Sequence, residues 1–471
     1  MYGRGIKFPR ISNKRCIQPD FKNYCRYSSR LALMKENICL VGEIIVDLTL
    51  KPEKKLRLGG ILHAARALWA VDAQYDLLYF APAYLHNQIK KFASLHGASN
   101  VICIGEVEGA PNIILIEEAK EVGNQGYELI LEDEYDVRYN LFELKKYLQR
   151  GLCSDIVIFS GQFNFEKIVK ELEGYDARFH ADIANAFKNI SPLKKCNVRF
   201  ETLFISTSSN LFLSFFNSDV EALNNYLLSN HCNNLLFKQN RGGAVLFEGD
   251  GQENFIGAQI RKISHSVGVG DCFDVIYVNA KRNLNSTEAL SYASWIAADY
   301  ATTSFPDDFK ALTKKTLLLD KNFILENKGI YLPWSLRTSI NIYIAGADFD
   351  FKDTAFINAL YECLKYHNFS PRRPVQENGQ MEADASLSRR QELYENDLKI
   401  LKECQIVIAV LTDNDPGTLV EIGIASAWQI PILLFDPYNM AKNCMLTQSC
   451  NFITNSMDDL IDEVFRLSIR L

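Results

Sequence analysis

Several apolar runs in this chain are too continuous to alternate with polar residues, and each is followed by a segment of helical spacing. That pairing narrows the possible folds more than any other feature. Leu77–Phe80, Ile113–Glu117, Asp155–Ser160, Leu203–Ser206 and Asn234–Lys238 are such runs, and Ile406–Leu411 is another. A strand that is apolar on both sides must lie inside a sheet covered by helices on both faces, which is the doubly wound α/β arrangement. At 471 residues the chain is too long for one ordinary domain, and about two or three are expected.

The hydrophobic fraction of 48% and charged fraction of 23% are those of a globular protein with ample core. A net charge of −6 gives no footprint for a nucleic acid polymer. The twelve cysteines include no Cys-x-x-Cys pair, and Cys39, Cys103 and Cys404 sit in apolar runs. This pattern suits reduced thiols in a cytoplasm rather than a disulfide framework or zinc site. The seven histidines form no spaced pair, so no structural metal is expected. No apolar run reaches the roughly 20 residues that span a bilayer. Residues 1–37 form a basic extension rich in Arg and Lys, with Met34 as an alternative start.

The first domain opens with Ile38-Cys-Leu-Val-Gly-Glu-Ile-Ile-Val-Asp-Leu, read as one strand, and then a glycine pair, Gly59-Gly60, that opens a helix. Further on stands Ile263-Ser-His-Ser-Val-Gly-Val-Gly-Asp, ending at Asp271 and followed by a long helical pattern. Glycines let backbone N–H groups approach an anion, and a helix N-terminus favours negative charge. A carboxylate at that entrance is placed to take the proton of an acceptor hydroxyl during phosphoryl transfer. Asp271 is also a good N-cap residue, which is the plainer reading.

Together with Asp47, Gly59-Gly60 and Lys238-Gln-Asn-Arg-Gly-Gly243, the turn resembles the ribokinase-like (PfkB) carbohydrate and nucleoside kinases over residues 38–320. The resemblance implies that Asp47, Gly59 and Gly60 hold the acceptor, that Gly268, Val269 and Gly270 form an anion hole, and that Asp271 is the base. Lys238, Gly242 and Gly243 would border an adenine nucleotide, with ATP and Mg²⁺ as the implied cofactors. His265 stands where the family usually has an aspartate, and His63 where it commonly has an asparagine; Asp274 departs from the pattern too. The usual Asn-x-x-Glu motif is not evident. A catalytically silent, nucleotide-binding scaffold therefore remains open beside an active kinase.

After a boundary at 321–338 comes a second pattern, 339–471. It opens with Ser339-Ile-Asn-Ile-Tyr-Ile-Ala-Gly, a strand breaking at Gly346, and continues through Tyr394-Glu-Asn-Asp397. A buried strand at Ile406–Leu411 then turns through Asp413–Gly417 into a helix expected to start at Thr418. In an open α/β sheet, Asp413, Asp415 and Glu421 would share one crevice. Thr418-x-x-Glu421 is equally a capping box, which would occupy Glu421 structurally.

With Asn443-Cys-Met, these elements in this order resemble the nucleoside 2-deoxyribosyltransferase family, which implies a smaller flavodoxin- or Rossmann-like parallel domain. The resemblance makes Glu421 the nucleophile at C1′ and Tyr343 its positioning partner. It makes Asp397 the group that protonates or holds the leaving base, and Asp415 the holder of sugar hydroxyls. Gly346 is a further substrate contact, and Asn443 would reach a neighbouring subunit, implying a homo-oligomer. A carboxylate nucleophile and a proton donor suit an oxocarbenium-like transition state. The polar stretch from Ser370 to Arg390 reads as a loop in which Arg372, Arg373, Arg389 and Arg390 either clamp a 5′-phosphate or are merely solvated. The expected partners are small nucleosides, nucleotides or sugars, with no membrane. The expected activity is N-glycosidic bond cleavage or transfer together with ATP-dependent phosphorylation, and the alternative is a sensor whose silent kinase-like domain gates the second domain.

Overall fold

Parallel strands buried on both faces do form the centre of the molecule. The computed structural model describes residues 37–109, 112–130, 135–382 and 384–471, so the basic extension and Met34 lie outside the described residues. In spatial order the parallel strands of the large sheet are Asn100–Gly109, Tyr75–Ala81, Asn37–Glu43, Cys153–Phe159, Arg178–Asp182, Phe200–Ser206 and Cys232–Lys238. Numbered along the chain the order is 3-2-1-4-5-6-7, with antiparallel strands Tyr135–Tyr139, Ala244–Glu248 and Glu253–Ile256 at the edges. The winding reverses between Asn37–Glu43 and Cys153–Phe159, and ligands of such sheets bind outside the carboxyl ends of the strands at that point.

Side chains alternate between two cores, as the pleat requires. Ile38, Leu40 and Leu77 pack with helices Leu62–Ala70, Val269–Lys281 and Ser286–Thr302. Cys39, Val41 and Leu78 pack with Leu141–Leu148, Phe165–Leu172 and Val220–Asn230 on the other face. Each fully buried aliphatic side chain contributes roughly 1.5–3 kcal/mol.

The run read as one strand from Ile38 is two strands. Asn37–Glu43 stays in the large sheet, whereas Val46–Lys51 leaves it for a four-stranded lid ordered Lys55–Leu58, Val46–Lys51, Ile113–Glu118, Tyr127–Ile130. The break falls where the glycine pair docks. Ile61 N donates to Glu43 O at 3.0 Å, and a Cβ on Gly60 (φ +60°) would lie 2.2 Å from that oxygen. Apolarity is the same on both sides of the break, so hydrophobic pattern alone does not show it.

The second domain is a five-stranded parallel sheet. Its order is Ser370–Arg372, Asn341–Ala345, Ile406–Val410, Ile432–Phe435, Phe452–Thr454, or 2-1-3-4-5, the flavodoxin-like arrangement. Ser370–Arg372 and helix Pro374–Asn378 occupy part of the stretch expected to be loop, because the strand pairs with Asn341–Tyr343 over only three residues and is too short to show a period. Helices Ala355–Tyr366 and Met457–Ser468 cover one face, and Leu387–Glu403 and Pro416–Ala427 the other.

The segment between the sheets is packed, not loose. Ile330 and Leu332 join the core of the second domain, and Val122 and Ile260 of the first pack against that core. Arg337 is fully buried and donates to the main-chain oxygens of Gln239 at 2.8 Å, Leu332 at 2.9 Å and His367 at 3.3 Å. Among the described residues no helix is long and apolar enough to cross a membrane, and the described cysteines are all free thiols.

Candidate active sites

The second domain brings Tyr343 and Glu421 together. Tyr343, fully buried on the strand Asn341–Ala345, donates its hydroxyl to Glu421 Oε1 at 2.6 Å. The helix that carries Glu421 begins at Pro416, earlier than expected, because Asp415 caps it. One oxygen, Asp415 Oδ2, accepts from Thr418 N at 2.7 Å and from Thr418 Oγ1 at 2.8 Å. Glu421 thus lies beyond the first turn and binds Tyr343 instead of closing a capping box, while Asp415 supplies the cap.

A cavity of about 300 Å³ opens beside this pair, lined by Tyr343, Tyr394, Asp397, Gly417, Val420 and Glu421 among others. Burial pushes the Glu421 carboxyl up to about 7; Asp397 and Asp415 push it the same way, and the Tyr343 hydrogen bond opposes them. Burial also raises Asp397, against a 2.8 Å hydrogen bond from Asn378 Nδ2. Two carboxyl groups facing one cavity, both raised chiefly by burial, make a pair suited to acid, base and nucleophile roles.

The remaining expected residues of this domain fall elsewhere. Asn443 caps the short helix Cys444–Ser449, accepting from Met445 N at 2.8 Å. Gly346 follows the strand Asn341–Ala345, and a Cβ there would press on Ile357 Cδ1 at 2.8 Å, the movable end of a side chain. Asp413 is bound by Lys352. The four arginines are engaged locally: Arg372 with Glu377, Arg373 with both oxygens of Asp348, Arg389 with Glu392 and Arg390 with Ala385 O.

In the first domain, Gly268 is the left-handed N-cap (φ +76°) of helix Val269–Lys281, which leaves Asp271 in the first turn rather than at the cap. Burial pushes Asp271 up to about 7, the Asp182 and Asp47 charges add to the rise, and Lys238 opposes it. Lys238 bridges Asp182 Oδ2 at 2.9 Å and Asp274 Oδ2 at 2.7 Å, and its Nζ would lie 3.3 Å from a Cβ on Gly270. A cation therefore sits at the glycine turn, which fits an anionic ligand there.

Asp47 approaches the Asp271 turn from the lid, whose Arg57 donates to Val267 O at 3.0 Å. Asp47 Oδ2 accepts from His63 Nε2 at 3.0 Å and Arg57 Nε at 3.4 Å, and Asp47 is 2% exposed. Burial alone would raise this carboxyl, but His63 and the arginines outweigh burial and lower it. Burial holds His63 down at about 4, so the ring is neutral; Nε2–H donates to Asp47, and Nδ1 accepts from Tyr300 Oη at 2.7 Å. The ring lies against Gly268, where a Cβ would fall 2.2 Å from it, and Gly59 leaves room for the Asp47 carboxylate. His265, pushed down to about 3 chiefly by burial, binds Thr303 O. Gly242 is obliged to be glycine by Arg337, whose Nη2 would lie 1.9 Å from a Cβ, and Gly243 by its φ of +91°.

Asp182 and Glu43 were missed by sequence reasoning. Asp182 ends a five-residue strand with no long apolar run, and Glu43, which accepts from Gln162 N and Phe163 N, interrupts an apolar one. Among the described residues no group of three or more His, Cys, Asp or Glu side chains is arranged to hold a metal ion.

Three comparisons bear on these sites. No curated protein matches the chain. Among solved structures the chain is similar to a mutant phosphofructokinase-2 of Escherichia coli at 13% identity, over 60% of this chain and 99% of that one, with TM-score 0.47. It is similar to Arabidopsis thaliana ribokinase complexed with ribose and ATP at 11% identity, over 61% and 100%, with TM-score 0.45. A third is an E. coli protein described as a putative ribokinase II in complex with ATP and Mg²⁺, at 12% identity, over 60% and 99%, with TM-score 0.42. The C-terminal segment, residues 342–457, which holds Tyr343, Asp397, Asp415, Glu421 and Asn443, matches the family model described as nucleoside 2-deoxyribosyltransferase.

Proposed function

We propose that the chain is a two-domain enzyme of nucleoside or nucleotide metabolism whose second domain cleaves or transfers an N-glycosidic bond. The observation that carries this reading is the Glu421 carboxylate, held by the Tyr343 hydroxyl at 2.6 Å on the wall of a cavity that Asp397 also faces. Glu421 attacks C1′ of the sugar as the C–N bond breaks, and the departing base takes a proton from Asp397. The resulting Glu421 ester is released by water or by a second base, and Asp397 takes up the incoming proton. Asp415 holds the sugar hydroxyls through the oxygen not engaged by Thr418. Asn443 reaches a second copy of the chain, so a homo-oligomer is part of the proposal.

The test is to incubate the protein, without ATP, with nucleosides and their 5′-monophosphates, and to follow free base by chromatography. Release that disappears in Glu421→Ala supports the reading, and absence of release from the whole panel refutes it.

For the first domain the proposal is phosphorylation of a sugar or nucleoside by ATP with Mg²⁺. Asp271 takes the acceptor proton, and the N–H groups of Gly268 to Gly270 together with Lys238 hold the transferring phosphoryl oxygens. One observation favours a second reading, a cleft that binds a nucleotide without turning it over: the Asp47 carboxylate is already engaged by His63 and Arg57. Formation of ADP in the presence of a sugar or nucleoside panel, lost in Asp271→Ala, decides for the kinase; its absence decides for the second reading.

A further inference from the structure

The lid that carries Asp47 meets the second domain through one short segment, residues 119–125, between Ile113–Glu118 and Tyr127–Ile130. Its backbone and side chains are gripped from both sides. From the first domain, Ser266 N donates to Ala119 O at 2.9 Å, fastening the segment to the turn that leads into Gly268. From the second domain, Val122 O accepts from Cys363 Sγ at 2.6 Å and from His367 Nε2 at 2.8 Å. His367 is buried and, chiefly by desolvation, held neutral, so its Nε2 donates. The Tyr366 hydroxyl donates to Glu121 Oε1 at 2.6 Å.

Arg241 closes the arrangement. It stands on the turn Asn240–Gly242, directly after the strand that ends in Lys238, and donates to Glu121 O at 3.0 Å. The same guanidinium pairs with Asp458 and Asp462 on helix Met457–Ser468, and Lys120 reaches Asp458 Oδ2 at 3.0 Å. These groups are mostly shielded: the Arg241 side chain is 13% exposed and that of Asp458 7%. Charge-assisted pairs so placed hold a single geometry and are costly to open.

The lid is mechanically continuous with this segment, since Asp47 on Val46–Lys51 is in register with Ile114 on Ile113–Glu118. Lifting the lid from the Asp271 cleft therefore moves residues 119–125, and with them the contacts to Cys363, Tyr366, His367 and Arg241. The faces also matter. Helices Ala355–Tyr366 and Met457–Ser468 make these contacts, whereas Leu387–Glu403 and Pro416–Ala427 line the Glu421 cavity on the opposite face of the small sheet.

We propose that the second domain is a strap that holds the lid of the first closed, and that the Asp271 cleft opens only when residues 119–125 and Arg241 let go of helices Ala355–Tyr366 and Met457–Ser468. The strap acts on closure whether or not the cleft transfers phosphate, so its test does not depend on that activity. Hydrogen–deuterium exchange of the full chain is compared for the wild type and for Asp458→Asn combined with Asp462→Asn. The expected result is amide exchange at least about tenfold faster in residues 113–130. Exchange in strands Asn341–Ala345 and Ile406–Val410 stays unchanged. Unchanged exchange at 113–130, or an equal rise in both regions, overturns the strap. If the double variant does not unfold cooperatively, Tyr366→Phe, which removes the hydroxyl that binds Glu121 and accepts from Asn240 Nδ2, is measured the same way. It is expected to give a smaller rise confined to 113–130, and no rise there overturns the proposal.

Discussion

The Glu421 cavity and the Asp271 cleft use the same electrostatic device and differ in what surrounds it. In each, a carboxyl on a helix that follows a sheet strand or turn is pushed up to about 7, chiefly by burial and then by neighbouring carboxylates. In the second domain the carboxylate's partner is one tyrosine hydroxyl, and a cavity of about 300 Å³ is left for a ligand. In the first, Lys238 is shared between Asp182 and Asp274, Asp47 is bound by His63 and Arg57, and His63 rests on Gly268. A raised carboxyl alone therefore does not distinguish a site ready for substrate from one satisfied by its own side chains; the partners of the neighbouring groups do.

The comparison is broken or sharpened first by removing each carboxylate. Glu421→Ala is expected to lower base release by about 10³-fold or more, while Asp271→Ala leaves it within twofold or so. Equal losses in the two variants would mean that the sites do not act independently. Next in size is Lys238→Met, which strands Asp182 and Asp274 in a buried setting. The expected loss is about 3–5 kcal/mol of stability, read as a lower midpoint in denaturant. A neutral result would show that these acids are already protonated together.

Tyr343→Phe removes the hydrogen bond that holds the Glu421 pKa down. Release is expected to fall by roughly tenfold to a hundredfold, and the acid limb of the pH–rate profile to move above about 7. A fall in rate with an unmoved limb would reduce Tyr343 to a packing role. The smallest effect concerns stability against pH. For Glu421 and Asp271 the folded-state pKa lies above the unfolded one, so the folded form binds more protons between about 4 and 7. Stability then falls as pH rises through that window. Glu421→Gln and Asp271→Asn should each remove part of the decline between pH 5 and pH 8, measured by thermal unfolding at both values. A decline unchanged in either variant would count against the raised pKa of that residue.

Legibility in the sequence followed the range of the interactions. The meeting of Tyr343 with Glu421 was legible only through the family resemblance of the motifs around them, since Tyr343 lies in the middle of its strand and its partner is 78 residues away. The two parallel sheets were readable from local pattern, since doubly buried strands are apolar throughout. The split of the first strand at Glu43 was hidden, because it depends on a glycine pair docking from outside the run. Asp182 was hidden as well: its partner Lys238 is 56 residues away, and nothing local to a short strand signals such a pairing. The pairing of Arg241 with Asp458, 217 residues apart, is more remote still. The site roles that hinge on such distant contacts were beyond any local rule of spacing or propensity.

Arg337 has a consequence for how this chain can be divided. Its guanidinium is bound by carbonyl oxygens from both sides of the boundary, Gln239 on one and His367 on the other, and burial pulls its pKa down to about 9. A cut made anywhere between the two sheets takes at least one of its three carbonyl acceptors, Gln239, Leu332 and His367, from the fragment that keeps the charge. Two genes made by severing the chain there are expected to yield products that stay folded only when both are made together.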